Sequence, residues 1–142
     1  SKQDLIIAVL RQFDQQYRDA MRTAVDNAPG SPKQKLLATF DFLDGWCNED
    51  SFYGCPFISA AAEFGERHGA VFQEAAMHKR LVVAYLEELA RAANLANPQQ
   101  LAEQINLLLE GATAVAQITG GSEQVGRAKA IAGLLIAAAE TS

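Results

Sequence analysis

Stop and start signals for helices recur along this chain and divide it into segments of helical length. Ala28-Pro29-Gly30 ends the first segment, and Ser31-Pro32 begins the second as N-cap and first helical residue. Asn97-Pro98 repeats this start signal, and Gly120-Gly121-Ser122 separates the last two segments. Between the signals apolar residues recur every three or four positions, without the alternation typical of strands. The sequence therefore predicts an all-α fold.

These signals predict six helices, at about residues 2–27, 32–47, 56–64, 70–93, 98–119 and 123–140. The first begins with a capping-box pattern at Ser1 and Asp4. Its apolar stripe is expected to be Leu5, Val9, Phe13, Tyr17, Ala20, Ala24 and Ala28. The third helix is short and apolar on nearly every side, which predicts that it is buried. Asn97 and Ser122 are expected to cap the fifth and sixth helices.

The last two predicted helices carry more apolar surface than the chain alone can cover. After Arg127 the sixth helix is apolar or small almost all round, and the fifth has Leu107 and Ile118 outside its main apolar stripe. Two copies packed as an isologous four-helix bundle would bury this surface. We therefore predict a homodimer. Its interface residues are expected to be Leu108, Ala112, Val115, Ala116, Val125, Ala128, Ile131, Ala132 and Leu135.

Charge and cysteine content restrict the partners and the location. With 12 Lys and Arg against 17 Asp and Glu, the formal net charge is -5, so this segment is not expected to bind DNA. Cys47 and Cys55 are expected to be reduced rather than disulfide-bonded, which favours a cytoplasmic location. No export signal is visible, and the longest apolar run, residues 131–139, is far below the roughly 20 residues that span a bilayer. No membrane partner is expected.

Motifs that would indicate catalysis are missing from the sequence. It has no Gly-x-Ser-x-Gly elbow, no His-Glu-x-x-His motif, no phosphate-binding glycine loop and no Glu-x-x-His pair. Glu74 and His78 lie about one helical turn apart, but two potential ligands are too few for a metal site. The sequence therefore predicts neither an enzyme nor a bound metal or cofactor.

Several short stretches resemble the C-terminal domain of TetR-family transcriptional repressors. Ser1-Lys2-Gln3-Asp4-Leu5 is similar to the step that follows the recognition helix in that family, and residues 54–64 are similar to the short sixth helix of one subgroup. The long seventh and eighth helices of that subgroup are similar to residues 78–81, 86–90, 101–104 and 107–112. The order of these stretches and the number of predicted helices fit helices four to nine of the family.

This resemblance implies the effector-binding and dimerisation part of a repressor, as a single domain over residues 1–142. A small, largely apolar effector would bind inside each subunit, shift the long first helix and release the protein from its operator. Operator DNA would be contacted only by a helix-turn-helix domain of about 45 residues before Ser1. The alternative is a stand-alone helical carrier of hydrophobic small molecules, which would have no such domain.

Candidate ligand-binding residues come from the inward stripes of the predicted helices. Their aromatic members belong either to an ordinary core or to a pocket wall. His78 is either a hydrogen-bonded core histidine or a ligand contact. A polar stripe on the fifth helix faces either water or a pocket, and Glu110 in that stripe, if buried, requires a donor partner or a cationic ligand. The full set is Phe13, Tyr17, Phe40, Leu43, Trp46, Phe57, His78, Leu81, Tyr85, Asn106, Glu110, Thr113 and Gln117.

Overall fold

A computed structural model describes residues 1–140 and contains six α-helices. They are α1 (Lys2–Asn27), α2 (Pro32–Cys47), α3 (Pro56–Phe64), α4 (Ala70–Ala92), α5 (Pro98–Thr119) and α6 (Glu123–Ala138). Within the described residues, extended backbone pairs only at the isolated bridge between Leu95 and Glu140. The prediction of an all-α fold is confirmed. The ends of α4 and α6 were placed one and two residues too far along the chain.

Polar side chains define the helix starts that the sequence marked most clearly. Ser1 and Ser31 both form capping boxes, in which the serine Oγ accepts from the backbone N–H three residues later. Asn97 and Ser122 occupy the N-cap positions of α5 and α6, but neither side chain makes a capping hydrogen bond. Capping needs extended backbone at the cap residue, whereas Asn97 is left-handed with a φ of 49°. The prediction that these two side chains cap their helices is wrong.

The end of α1 is held by a lysine from the next helix. No basic residue lies in the last turn of α1. Instead, the Lys35 ammonium on α2 donates to the carbonyls of Val25, Asp26 and Ala28 at 3.2, 3.0 and 3.2 Å. A cation at this position compensates the partial negative charge of unpaired carbonyls at a helix C-terminus. The contact therefore fixes the turn between α1 and α2.

The buried apolar residues form three clusters. The largest joins α2, α4, α5 and α6 around residues such as Phe40, Leu86 and Ile105. The second joins α1, α3 and α4 around Phe57, and the third joins α1, α2 and α4 around Met21. In this arrangement α1 packs on α2, α3 and α4, while α6 packs on α2 and α5.

Two sequence-based expectations about burial are wrong. On α1, Leu5 and Val9 are 66% and 56% exposed, and the buried residues are Leu10, Met21 and Val25. Apolar residues occupy two adjacent sides of this helix, and its neighbours cover only one of them. On α3, Phe57 is buried but Ile58 is 55% exposed, because α1 and α4 contact a single face of this short helix.

The expected dimer interface also needs correction. Ala112, Ala116, Val125, Ala128 and Ala132 are buried within the chain's own core, so their side chains have little surface left for a partner. Small residues let α5 and α6 pack closely against each other and against the core. Their side chains are therefore already covered within one chain. Leu108 and Leu135 are half-buried against the same core. The exposed apolar residues of these helices, which we call the α5/α6 face, are Leu107, Val115, Ile118, Ile131 and Leu134.

Candidate ligand-binding site

A small, partly open cavity lies among α1, α2, α4 and α5, next to the start of α3. Its volume is about 20 Å³, which gives room for about one water molecule. Both apolar and polar side chains surround it. The lining residues are Phe13, Tyr17, Trp46, Cys55, Pro56, His78, Lys79, Val82, Asn106, Leu109, Glu110 and Thr113. A ligand larger than water can therefore enter only if part of this wall moves.

An aromatic wall separates the cavity from a wider groove on the surface. Phe13 and Tyr17 of α1 and Trp46 of α2 line both spaces. Their ring centroids are 5.3 to 6.2 Å apart, within the range of favourable aromatic pairs. The groove between α1 and α2 has a volume of about 430 Å³, and Asp41 and Glu49 also line it. Rotation of these rings, or outward movement of α1, would connect the two spaces.

His78 connects the cavity to α1 through a partly buried hydrogen bond. Its ring is 5% exposed, is stacked on Phe57 at a centroid distance of 4.0 Å, and has Nδ1 2.6 Å from Oδ1 of Asp14. Arg18 donates to both oxygens of Asp14, at 2.9 and 2.7 Å. Burial raises the pKa of Asp14, but the hydrogen bonds from Arg18 and His78 outweigh it and lower that pKa.

The protonation state of this group follows from these contacts. An ionised Asp14 can only accept, so Nδ1 of His78 carries the hydrogen. Burial lowers the pKa of His78, although the hydrogen bond to Asp14 opposes this. His78 is therefore neutral near pH 7. It is both a hydrogen-bonded core histidine and part of the cavity wall, so the two interpretations of the sequence do not exclude each other.

The polar stripe of α5 forms another part of the cavity wall. Glu110 accepts from the Lys79 ammonium at 2.5 Å, and Lys79 also lies 3.2 Å from Sγ of Cys55, which is a free thiol. Lys79 is thus the donor partner that Glu110 was expected to need. Thr113 donates to the carbonyl of Leu109 at 2.8 Å. Oδ1 of Asn106 is buried and has no hydrogen-bond partner.

The structure brings together about half of the predicted ligand-binding residues. Those that line the cavity are Phe13, Tyr17, Trp46, His78, Asn106, Glu110 and Thr113. Contact of any of them with a ligand stays a prediction. The sequence missed Cys55, Pro56, Lys79, Val82 and Leu109. Val82 follows His78 by one helical turn, so helical spacing could have identified it, whereas Lys79 lies outside the apolar stripe of α4 and gave no such signal.

The other predicted residues lie away from the cavity. Phe40 and Leu43 are in the largest core cluster, and Phe57 lies behind His78. Tyr85 is in the third cluster, with the Arg22 guanidinium 4.4 Å from its ring centroid. Leu81 is half-buried on α4 outside the lining. Gln117 is exposed and lies against the backbone at Gly54. Periodicity identified inward faces but could not separate core from cavity.

Within residues 1–140, no three His, Cys, Asp or Glu side chains converge in a way that could hold a metal ion. None of the helices described above is long and apolar enough to cross a membrane.

Two solved structures of transcriptional regulators share the fold of this chain. A TetR-family transcriptional regulator from Streptomyces coelicolor superposes with a TM-score of 0.86 at 20% identity, covering 99% of this chain and 74% of that one. A putative TetR-type regulator from Streptomyces avermitilis gives a TM-score of 0.80 at 23% identity, covering 100% and 76%. At these identities the likeness establishes the all-helical fold of the class.

The sequence itself places the chain in a family. Residues 32–132 match the family described as tetracyclin repressor-like, C-terminal domain. This chain belongs to that family, and the resemblance found in its sequence is confirmed. It is also 26% identical over 110 residues to the HTH-type transcriptional regulator YjdC of Escherichia coli, which covers 78% of this chain. The chain spans 58% of the length of that relative.

Proposed function

We propose that residues 1–142 are the effector-binding and dimerisation domain of a TetR-type transcriptional repressor. Family membership and the fold support this proposal. The Escherichia coli relative is an HTH-type transcriptional regulator, and it is longer than this chain. We infer that a separate DNA-binding domain contacts the operator. The net charge of -5 is consistent with this division, because DNA is bound chiefly through Lys and Arg.

The observation that supports the proposal most directly is that α1 covers a cavity. This cavity is too small for an effector unless α1 or the wall moves. Phe13 and Tyr17 of α1 form part of its wall, and the cavity has a volume of about 20 Å³. A drug-sized ligand occupies a pocket of about 300 Å³ or more. Binding would therefore have to displace the aromatic wall, α1, or both. Because a ligand shifts an equilibrium only by its differential affinity, an open state with α1 displaced would be the state it favours.

A fluorescent probe tests whether the cavity binds ligands. We expect N-phenyl-1-naphthylamine, a neutral apolar dye, to bind saturably with one molecule per chain. Val82→Phe should abolish this binding, because it fills the cavity from a position that is 5% exposed. Ile58→Phe is the matched control, since Ile58 is 55% exposed on α3 and lies outside the lining. Circular dichroism establishes that both variants are helical. Equal binding to all three proteins would contradict the proposal.

A carrier of hydrophobic small molecules remains the second candidate, because the same cavity would serve it. The complete protein separates the two functions. A regulator should retard a DNA fragment from its own promoter in an electrophoretic assay, and a bound effector should reverse the retardation. A carrier should bind the dye without any effect on DNA.

A further inference from the structure

The charged groups at the cavity are already paired with one another. Lys79 and Glu110 form an ion pair across the wall at 2.5 Å. Behind His78, Asp14 forms an ion pair with Arg18 at 2.7 Å. His78 itself is neutral, and burial raises the pKa of the Tyr17 hydroxyl, which keeps it neutral too. A charged ligand would either displace one of these partners or lose its own hydration without compensation, and both are costly. The site therefore favours a neutral ligand.

One polar atom of the wall is left without a partner. Oδ1 of Asn106 is buried and accepts no hydrogen bond from another protein group, although buried polar groups are nearly always paired. This oxygen is an acceptor, so a ligand must supply a hydrogen-bond donor to pair with it. A hydroxyl group supplies such a donor without carrying a charge, whereas an ether oxygen does not. Of the groups that a neutral ligand can carry, a hydroxyl fits this position best.

The remaining surface of the cavity is suited to an aromatic ring. Phe13, Tyr17 and Trp46 form one wall, and the His78 ring lies 5.6 Å from that of Tyr17. Val82 and Leu109 add aliphatic surface. A flat ring can insert between side chains that already pack by ring contacts, and it would recover much of the contact area that they lose on moving apart.

From these three observations, and resting on the proposed function, we propose that the effector is a neutral aromatic molecule with a hydroxyl group that hydrogen-bonds to Asn106. Phenols are the simplest members of this class. The ring would lie against the aromatic wall, with its hydroxyl directed at α5. Lys79 and Glu110 would remain paired.

Four small probes that share one ring test this assignment by calorimetry on the intact chain. They are 4-methylphenol, 4-methylanisole, 4-methylbenzoate and 4-methylbenzylammonium. We expect 4-methylphenol to bind at least about tenfold more tightly than 4-methylanisole, which corresponds to one hydrogen bond to an otherwise unpaired group. The anion and the cation should bind more weakly than 4-methylanisole, because each brings a charge without a partner.

Asn106→Leu should reduce the affinity for 4-methylphenol to that for 4-methylanisole and leave the latter unchanged. Asn106→Ala, which introduces less bulk, gives the same comparison if the leucine variant is poorly folded. Gln117→Leu is the matched control, because it removes an amide from the same polar stripe at an exposed position and should preserve the preference.

The possible results separate this inference from the proposed function. Equal binding of the phenol and the anisole, or tighter binding of either ion, would overturn the ligand class. Saturable binding of N-phenyl-1-naphthylamine without binding of any of the four probes would also overturn it and leave the binding site intact. Failure of the dye and of all four probes would mean that the cavity holds water only, which would overturn both.

Discussion

At the scale of single residues, the contact between Asp14 and His78 is the most informative of the structure. It crosses from α1 to α4, is largely covered, and involves His78, which lines the cavity. Two other pairs tie the same helices together, Arg11 with Glu74 and Arg22 with Glu88, but Arg11 and both members of the second pair are largely exposed. Exposed pairs contribute little to stability. Of the three pairs, the least exposed one, between Asp14 and His78, is therefore expected to contribute most to holding α1 on α4.

The neutral state of His78 makes stability depend on pH. Its pKa is lowered in the folded protein from the ordinary value of 6.5, so the unfolded chain binds this proton more readily. The resulting contribution to stability is complete above pH 6.5 and is lost as the pH falls below that value. We expect the free energy of unfolding, measured with urea, to decrease between pH 7.5 and 5.5 by at most about 1.4 kcal/mol per pH unit from this group. The pKa of Asp14 is also lowered in the folded protein, so the contribution of Asp14 to stability is lost only at more acidic pH.

His78→Asn provides the comparison for this pH dependence. It keeps a hydrogen-bond donor for Asp14 but does not titrate in this range, so its stability should change less between pH 7.5 and 5.5 than that of the wild type. An identical slope in the two proteins would mean that His78 is not the group responsible.

At the scale of helices, the turn between α1 and α2 depends on one lysine. Lys35→Met removes the ammonium that donates to three carbonyls at the end of α1, while it keeps the length of the side chain. We expect a loss of about 1 to 2 kcal/mol in the free energy of unfolding, measured by chemical denaturation.

The neighbouring lysine is a matched control for this prediction. Lys33 lies two positions before Lys35 on α2 and forms an ion pair with Glu140. The side chains of Lys33 and Glu140 are 44% and 49% exposed. Lys33→Met should therefore change stability by less than about 0.5 kcal/mol. Equal losses in the free energy of unfolding for the two substitutions would mean that the three carbonyl contacts stabilise the protein no more than an exposed ion pair does.

At the scale of the whole molecule, we propose that the α5/α6 face mediates dimerisation. Leu107, Ile118 and Leu134 are 71%, 84% and 72% exposed, which is unusual for large apolar side chains on two adjacent helices. Contiguous apolar surface of this kind marks association sites in soluble proteins. A second copy of the chain, packed as a four-helix bundle, is the partner that we propose.

This proposal predicts that stability depends on protein concentration. Since only the folded chain dimerises, the melting temperature should rise with concentration, and light scattering should report twice the chain mass of 15.3 kDa. Leu134→Asp should give monomers whose melting temperature no longer depends on concentration. Ile58→Asp, at an exposed apolar position on α3, should behave as the wild type. A wild-type chain that stays monomeric at micromolar concentration would contradict the dimer.

Local sequence signals were enough to predict the number of helices, nearly all of their ends and the family. These features are local: a capping serine, a proline at the first helical turn or a glycine after the last turn acts within a few residues of its own position. The short stretches that resemble the family are likewise read directly from the order of the residues. For the same reason, the sequence could identify the polar stripe of α5 and the aromatic residues on α1 and α2.

The folded chain was needed to establish which side of each helix is covered and what each buried polar group contacts. Leu5 and Leu10 are equally apolar, but α3 and α4 lie against only one of them. Lys79 and Glu110 are 31 positions apart in sequence, and no local pattern indicates that they pair. The sequence pattern placed the alanines of α5 and α6 in an interface with a partner, but they are buried in the core of their own chain. Burial and pairing depend on residues distant in sequence, so helical periodicity alone cannot supply them.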